Sequence, residues 1–238
     1  MAKKNQYNAK NIEVLEGLQP VRKRPGMYIG STNEDGLHHL VNEVLDNSID
    51  EVVAGYATEI VFNYKKNGFV TIKDNGRGIP VDFHPKFKKK RAIEIVLSTL
   101  HAGGKFNDTS YKTSGGLHGV GISVVNALSS DLIVKVFKNG KVFSQKYSQG
   151  KVKSKIIIEK CSIKFKGTEI SFIPDKEIFD TIKFIPKKLY EFIKMKSVLV
   201  GGASISYNID KELITDSTPY EEVFYYKNGI QDYINEKY

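Results

Sequence analysis

Between residues 36 and 54 the apolar positions Leu37, Leu40, Val41, Val44, Leu45, Ile49, Val52 and Val53 recur at helical spacing, which predicts an amphipathic helix with one face in a core. The other face has its own pattern. His39, Glu43 and Asn47 stand at i, i+4 and i+8 with Asp46 and Asp50 beside them, and the segment Leu37 to Val53 holds no Lys or Arg. A solvated helix face normally mixes both signs of charge. This one is either a plain acidic surface or a face that meets something attracted to acid and amide oxygens.

The same periodicity gives further helices at 92–102, 119–129 and 186–197. Strand-like runs fall at Glu59–Tyr64, Phe69–Lys73, Leu132–Phe137, Val142–Tyr147, Lys155–Ile158, Thr168–Ile173, Ala203–Asn208 and Val223–Tyr226. Asn67-Gly68 and Asn139-Gly140 carry the signal of tight hairpins, so several strands should pair antiparallel. The expected fold class is α+β: a mixed, largely antiparallel sheet with helices on one face. The first 24 residues read as an arm with a short apolar pattern at Ile12, Val14, Leu15 and Leu18, and Pro25-Gly26 supplies a turn into the main domain. No internal repeat or low-complexity linker is visible.

Composition narrows the function classes. The chain has 238 residues, 40% of them hydrophobic, enough for a real core. No run is long enough to span a bilayer and MAKKNQYNAK lacks the apolar stretch of a secretory signal, so the expectation is a cytoplasmic protein with no membrane partner. Cys161 is the only cysteine, which excludes an intrachain disulfide and a thiolate zinc site. The excess of 36 Lys+Arg over 27 Asp+Glu gives +9, compatible with a polyanionic partner such as DNA but implying no specificity. The densest basic run, Lys86 to Arg91 (KFKKKR) beside Pro85, reads first as a solvated loop and second as a phosphate-tracking segment.

Two glycine-rich segments interrupt the pattern. DNGRGIP, Asp74 to Pro80, follows a strand that ends in a carboxylate. The other runs from HAGGKF (101–106) through TSGGLHGVG (113–121) into the helical string ISVVNALS. A glycine-rich loop delivering the chain into a helix N-terminus offers free N–H groups and a positive dipole end, which suits a phosphate. There is no GxxxxGK[ST], and GLHGVGIS lacks the last glycine and the βαβ setting of a dinucleotide fingerprint. Some other arrangement must hold the phosphates.

Glu43-Val-Leu-Asp46-Asn47, Asp74 to Pro80, Gly115 to Gly121 and Gly167-Thr168 resemble, in order, the four ATP-binding boxes of the gyrase, MutL, histidine-kinase and heat-shock-chaperone superfamily. VRKRPGMYIG, LHAGGKF and SGGLHGVGISVVNALS are closer still to the ATPase subunits of bacterial type IIA topoisomerases, and the resemblance covers nearly the whole chain. Within that family YNAKNIEVLEGL, EVLDNSIDE and KMKSVLVGGASISY are more similar to the topoisomerase IV type than to the gyrase type. A sensor histidine kinase shares the boxes but has no need of a water-activating carboxylate; a mismatch-repair or chaperone ATPase is a nearer alternative, against which RPGMYIG and SGGLHGVGISVVNALS argue. A non-enzymatic basic DNA-binding module would show no nucleotide dependence.

The resemblance implies a Bergerat-type ATP-binding sandwich over residues 25–228, with 229–238 as the first helix of a transducer domain that continues no further. It implies ATP and Mg²⁺ as ligands. Glu43 matches the general base, with His39 placed to hold it, and Asn47 matches the Mg²⁺ ligand. Asp74 matches the carboxylate that accepts the adenine amino hydrogen; Thr168 and Gly78 match its water-mediated companions. Arg77, Ile79 and Pro80 would wall the base pocket, and Asp50 joins the nucleotide-binding set. Lys105, Tyr111 and the backbone of Leu117, His118, Gly119, Val120 and Gly121 match the lid over the phosphates. Tyr7 matches an arm residue that reaches the nucleotide of a second copy. DNA, a second copy of the chain and the DNA-cutting A-type topoisomerase chain are the implied partners. Slow turnover and weak dimerisation are expected of the fragment, and Lys138 stands where many gyrases place an arginine against aminocoumarins, so weaker inhibitor binding is expected.

Overall fold

The computed structural model describes residues 12–103 and 121–237. The strands of its main sheet are β1 (Glu59–Tyr64), β2 (Val70–Asp74), β5 (Ser129–Lys138), β6 (Lys141–Ser148), β7 (Lys151–Val152), β8 (Ile157–Lys160), β9 (Gly167–Pro174), β10 (Ser204–Ile209) and β11 (Glu221–Tyr225), while β3 (Phe83–His84) and β4 (Phe87–Arg91) form a separate hairpin. The nine strands run in the order β11-β10-β1-β2-β9-β5-β6-β7, with β8 also paired to β6. Each pairing in this sheet is antiparallel except β1 with β10. Alternation along the strands sets the layers. Ile60, Phe62, Val70, Ile72, Leu132, Val134, Val136, Phe172, Ile205 and Tyr207 are buried on one side, and the positions between them are partly exposed. The α+β expectation therefore holds, as do both Asn-Gly hairpins: Asn139 and Gly140 have φ of 53° and 69° between β5 and β6.

The long helix α3 (Glu34–Val53) packs its Leu37, Leu40, Val41, Val44 and Leu45 into the core, each such side chain contributing roughly 1.5–3 kcal/mol by burial. Asn33 opens it as a side-chain cap on the Asp35 N–H at 3.0 Å. Its end is a Schellman motif: Gly55 N–H donates to Val52 O at 2.8 Å and Tyr56 N–H to Glu51 O at 2.8 Å. Beside α3 lie α5 (Gly121–Ala127) and α6 (Pro186–Val200); α4 (Ala92–Ser98) packs on α5.

Several segments differ from the sequence expectation: α4 stops at Ser98, short of 102, β8 runs Ile157–Lys160 and not Lys155–Ile158, β3 and β7 form where no strand is expected, and three further segments change more. Residues 19–23 and 26–29 form short helices, α1 and α2, where the sequence pattern predicts only an arm and a turn. Val21 and Ile29 are buried in the core, and Arg22 pairs with Asp175 at 2.7 Å. The basic run KFKKKR is a strand from Phe87 onward, with only Lys86 in the turn: β4 pairs with β3, and the lysines of this hairpin are exposed. A terminal helix, α7 (Ile230–Lys237), does form where one is expected.

Candidate active site

Helix α3 is the spine of the site. Its polar stripe advances by four residues at a step through His39, Glu43, Asn47 and Glu51, so each side chain stands about one turn above the last. His39 Nε2 meets Glu43 Oε1 at 3.0 Å, and this hydrogen bond, opposed by partial burial, holds the imidazole above its ordinary pKa. Asn47 Nδ2 donates to the Glu43 carbonyl at 2.7 Å, which fixes the amide orientation. Gly121, where α5 begins, backs directly onto Glu43: a Cβ there would lie 1.9 Å from Glu43 Oε2. Only a glycine lets α5 approach the carboxylate so closely.

At the other end of the stripe lies a buried carboxylate. β2 ends at Asp74, whose Oδ1 accepts the Gly76 N–H at 2.9 Å and the Thr168 N–H at 3.3 Å, while Oδ2 accepts the Ser48 hydroxyl at 3.2 Å. Burial nevertheless dominates, aided by the nearby Glu51 charge, and pushes its pKa up to about 6. No cation is hydrogen-bonded to it among the described residues. Gly167 makes this geometry feasible: its φ is +108°, and a Cβ would lie 2.0 Å from the Asp74 carbonyl oxygen.

The loop after Asp74 is tied down on both sides. Arg77 donates to Glu51 from its backbone N–H (2.9 Å), Nε (3.1 Å) and Nη2 (2.8 Å), and its guanidinium lies 3.7 Å from the centre of the Tyr56 ring. The Schellman turn that ends α3 is what delivers Tyr56 to that position. Ile79 N–H donates to Thr168 Oγ1 at 3.1 Å, pinning the loop to β9, and Gly78 sits against Val136. Pro80 is exposed and Asp50 is buried on α3.

The structure thus brings together His39, Glu43, Asn47 and Gly121 at one end and Asp74, Arg77, Gly78, Ile79 and Thr168 at the other. Tyr7, Lys105, Tyr111, Leu117, His118, Gly119 and Val120 lie outside the described residues. Sequence reasoning missed Ser48, Glu51 and Tyr56. Glu51 was within reach, since one more four-residue step along the stripe arrives at it; Ser48 was hidden because it sits in register with the apolar face. The acidic face is also less uniform than expected, because Asp46 pairs with Lys196 of α6 at 2.6 Å and Lys188 pairs with Glu34 and Asp35.

Residues 32–178 match the family model described as "Histidine kinase-, DNA gyrase B-, and HSP90-like ATPase". The B-type chain of DNA topoisomerase 4 from Rickettsia bellii is 52% identical over 234 residues, which are 98% of this chain and 35% of that protein. The chain thus spans about a third of the length of this relative. Among solved structures, the 43K ATPase domain of Thermus thermophilus gyrase B, in complex with an aminocoumarin, superposes with a TM-score of 0.78 at 37% identity, over 92% of this chain and 54% of that one. The topoisomerase IV ATP-binding domain of Francisella tularensis, with a small-molecule inhibitor, gives 0.77 at 35% identity, over 94% and 58%. With a family model covering more than half of its length, and with a carboxylate-bearing helix facing a buried aspartate across a glycine-framed loop, the chain belongs to the histidine kinase-, DNA gyrase B- and HSP90-like ATPases.

Proposed function

We propose that this chain is the ATP-binding and hydrolysing region of a type II DNA topoisomerase of the topoisomerase IV kind, in which ATP binding closes two copies over DNA that the A-type chain cuts. The observation that carries the reading is the single helix α3, which sets the Glu43–His39 pair and Asn47 towards one end while Ser48 holds Asp74 and Glu51 holds Arg77 towards the other. One rigid element therefore fixes the distance between a water-activating end and a base-binding end.

Asp74 would accept the adenine amino hydrogen at Oδ2, which Ser48 leaves with acceptor capacity, a contact the carbonyl of guanine could not supply. Arg77, locked by Glu51, and Ile79 would wall the base, Pro80 would stand at its rim, and Thr168 would hold the loop in register. Gly78 and Asp50 complete this end of the site. Glu43 would take the proton from the attacking water, and His39, by its hydrogen bond, would keep that carboxylate aimed. The donors present fit Mg²⁺: Asn47, whose Nδ2 is turned to the Glu43 carbonyl at 2.7 Å, would hold the ion through its amide oxygen, a hard donor of the kind Mg²⁺ prefers. When bound, the ion would neutralise phosphate charge. Lys105, Tyr111 and residues 117–121 would form the lid, Tyr7 of the arm (1–24) would reach a second copy, and residues 229–238 would begin the transducer. No helix among the described residues is long and apolar enough to cross a membrane, and a cytoplasmic setting is part of the same proposal.

The test uses a non-hydrolysable ATP analogue in calorimetry and turnover in the full-length protein. Glu43→Ala should keep Mg²⁺-dependent binding and abolish hydrolysis, while Asp74→Asn should weaken binding by about 10- to 100-fold, the worth of a charge-assisted hydrogen bond. Binding that ignores both Mg²⁺ and Asp74 would overturn the reading. Decatenation outpacing supercoiling in the assembled enzyme would support the topoisomerase IV kind over gyrase.

A further inference from the structure

The two edges of the main sheet carry opposite charge. Residues 151–166, spanning β7, β8 and the approach to β9, hold six lysines and one glutamate, whereas residues 210–236, around β11 and α7, hold seven acidic residues and two lysines. At the basic edge the lysines are stacked. Lys138 lies opposite Lys141 in the β5–β6 register and Lys141 lies opposite Lys160 in the β6–β8 register, so three ammonium groups share one face on three adjacent strands. Like charges at directly opposed cross-strand positions repel.

Some lysines elsewhere on the molecule are paired, Lys65, Lys66, Lys135, Lys188 and Lys196 each facing a carboxylate, and what sets the edge apart is that its lysines oppose one another across adjacent strands. Among the described residues, the three lysines of the ladder have no carboxylate partner, and neither do the exposed Lys151 and Lys153. The β3–β4 hairpin adds its own exposed lysines, and its last residue, Arg91, brings its guanidinium to 5.8 Å from the Phe143 ring of β6. With neighbouring strands about 4.8 Å apart, the ladder alone makes a positive strip roughly 10 Å across.

The geometry points to this edge, β6 with β7 and β8 and the basic hairpin that reaches it through Arg91, as a docking surface for the phosphate backbone of duplex DNA. The inference rests on the DNA-handling reading above and adds the surface that meets the duplex. Flexible lysine stems carrying point charges, without the planar fork of arginine, suit contacts that track phosphates and ignore sequence. An anion lying between the stacked lysines removes the repulsion that the bare sheet has to bear.

The experiment is fluorescence anisotropy of this chain with a labelled DNA duplex of mixed sequence across a salt series. Parent, the triple variant Lys141→Gln, Lys153→Gln, Lys160→Gln, and a control triple at the far side, Lys187→Gln, Lys211→Gln, Lys227→Gln, are compared. Both triples change net charge equally. The edge triple should bind at least about tenfold more weakly at low salt, and its slope of log affinity against log salt should be shallower by about 3, with the control close to parent. Equal loss in both triples, or an unchanged slope in the edge triple, overturns the surface. So does salt-sensitive self-association of the parent in sedimentation that the edge triple abolishes while DNA binding persists, because the edge then meets the acidic edge of a second copy. Calorimetry with the ATP analogue on the same proteins separates the two readings: nucleotide binding without edge-dependent DNA binding removes only the surface, and the reverse removes only the ATPase assignment.

Discussion

At the scale of single residues, Asp74 shows a site working against the stability of its own fold. Its carboxylate is pushed from an ordinary 3.8 to about 6 by burial, so the folded state binds a proton more readily than the unfolded chain. A folded pKa raised above the unfolded one means that stability is fully present below the unfolded value and is lost as pH rises through the folded value, here about 3 kcal/mol between pH 4 and 7. Asp74→Asn removes that charge while its Oδ1 keeps accepting the Gly76 and Thr168 N–H groups. The variant should therefore melt several degrees higher than the parent at pH 8, with the gain shrinking steadily toward pH 4, even as it loses nucleotide affinity. Melting curves that are unchanged at pH 8, or a gain that grows on acidification, would show that Asp74 is not held charged at a cost. Asp74 was legible in the sequence as a carboxylate at a strand end before a glycine-rich loop. That Ser48 would hold it was not, because a serine in an apolar stripe reads as filler.

At the scale of elements, α3 and α5 meet where Gly121 backs onto Glu43, and this contact separates activity from stability. A Cβ at 121 would stand 1.9 Å from Glu43 Oε2 but 3.5 Å from Glu43 Cβ, so the clash falls on the movable end of the side chain. Gly121→Ala should swing the carboxylate away from His39, slow the turnover of the full-length protein at least about tenfold, the scale expected for a misplaced general base, and move the melting temperature little. A parent-like rate would show that the Glu43–His39 alignment is not needed. Helices and strands with a full period of apolar positions were readable in advance, including α3, β1 and β9, because burial writes its spacing into the sequence. The elements that escaped lack that period. β4 is built from exposed lysines, and α1 and α2 are only 5 and 4 residues long. The Glu51–Arg77 clamp escaped for another reason: its two halves are 26 residues apart, and only the fold brings α3 beside the loop after β2.

At the scale of the molecule, a partly buried polar junction ties four distant parts of the chain together. Arg22 of α1 donates to the Ala127 carbonyl at the end of α5 (2.9 Å), to Asp175 after β9 (2.7 Å) and to Glu177 (3.1 Å), and Gln149 donates to the Asp175 carboxylate at 2.9 Å. Burial alone would raise the Asp175 pKa, but the Glu177 N–H, Arg22 and Gln149 together hold it below the usual carboxylate range. No local pattern in the sequence announces such a junction; it exists only once the sheet has closed and α1 is folded back on α5. Arg22→Leu should leave an almost fully buried carboxylate without its cation and cost about 3 kcal/mol, near the low end for breaking a buried pair because Arg22 keeps some solvent contact. That corresponds to a fall of roughly 6–12 °C in melting temperature for a chain of this size. Adding Asp175→Asn should recover part of the loss, since the stranded charge is then gone, and the coupling in the double-mutant cycle measures the pair itself. The sign with pH is opposite to that of Asp74: a depressed carboxylate pKa gives stability present above its unfolded value and lost as pH falls through the folded one, so the Arg22→Leu deficit should be full at about pH 7 and narrow below about pH 4. A deficit that persists undiminished in acid, or no rescue by Asp175→Asn, would show that α1 is held by its buried Val21 and its apolar neighbours and not by charge.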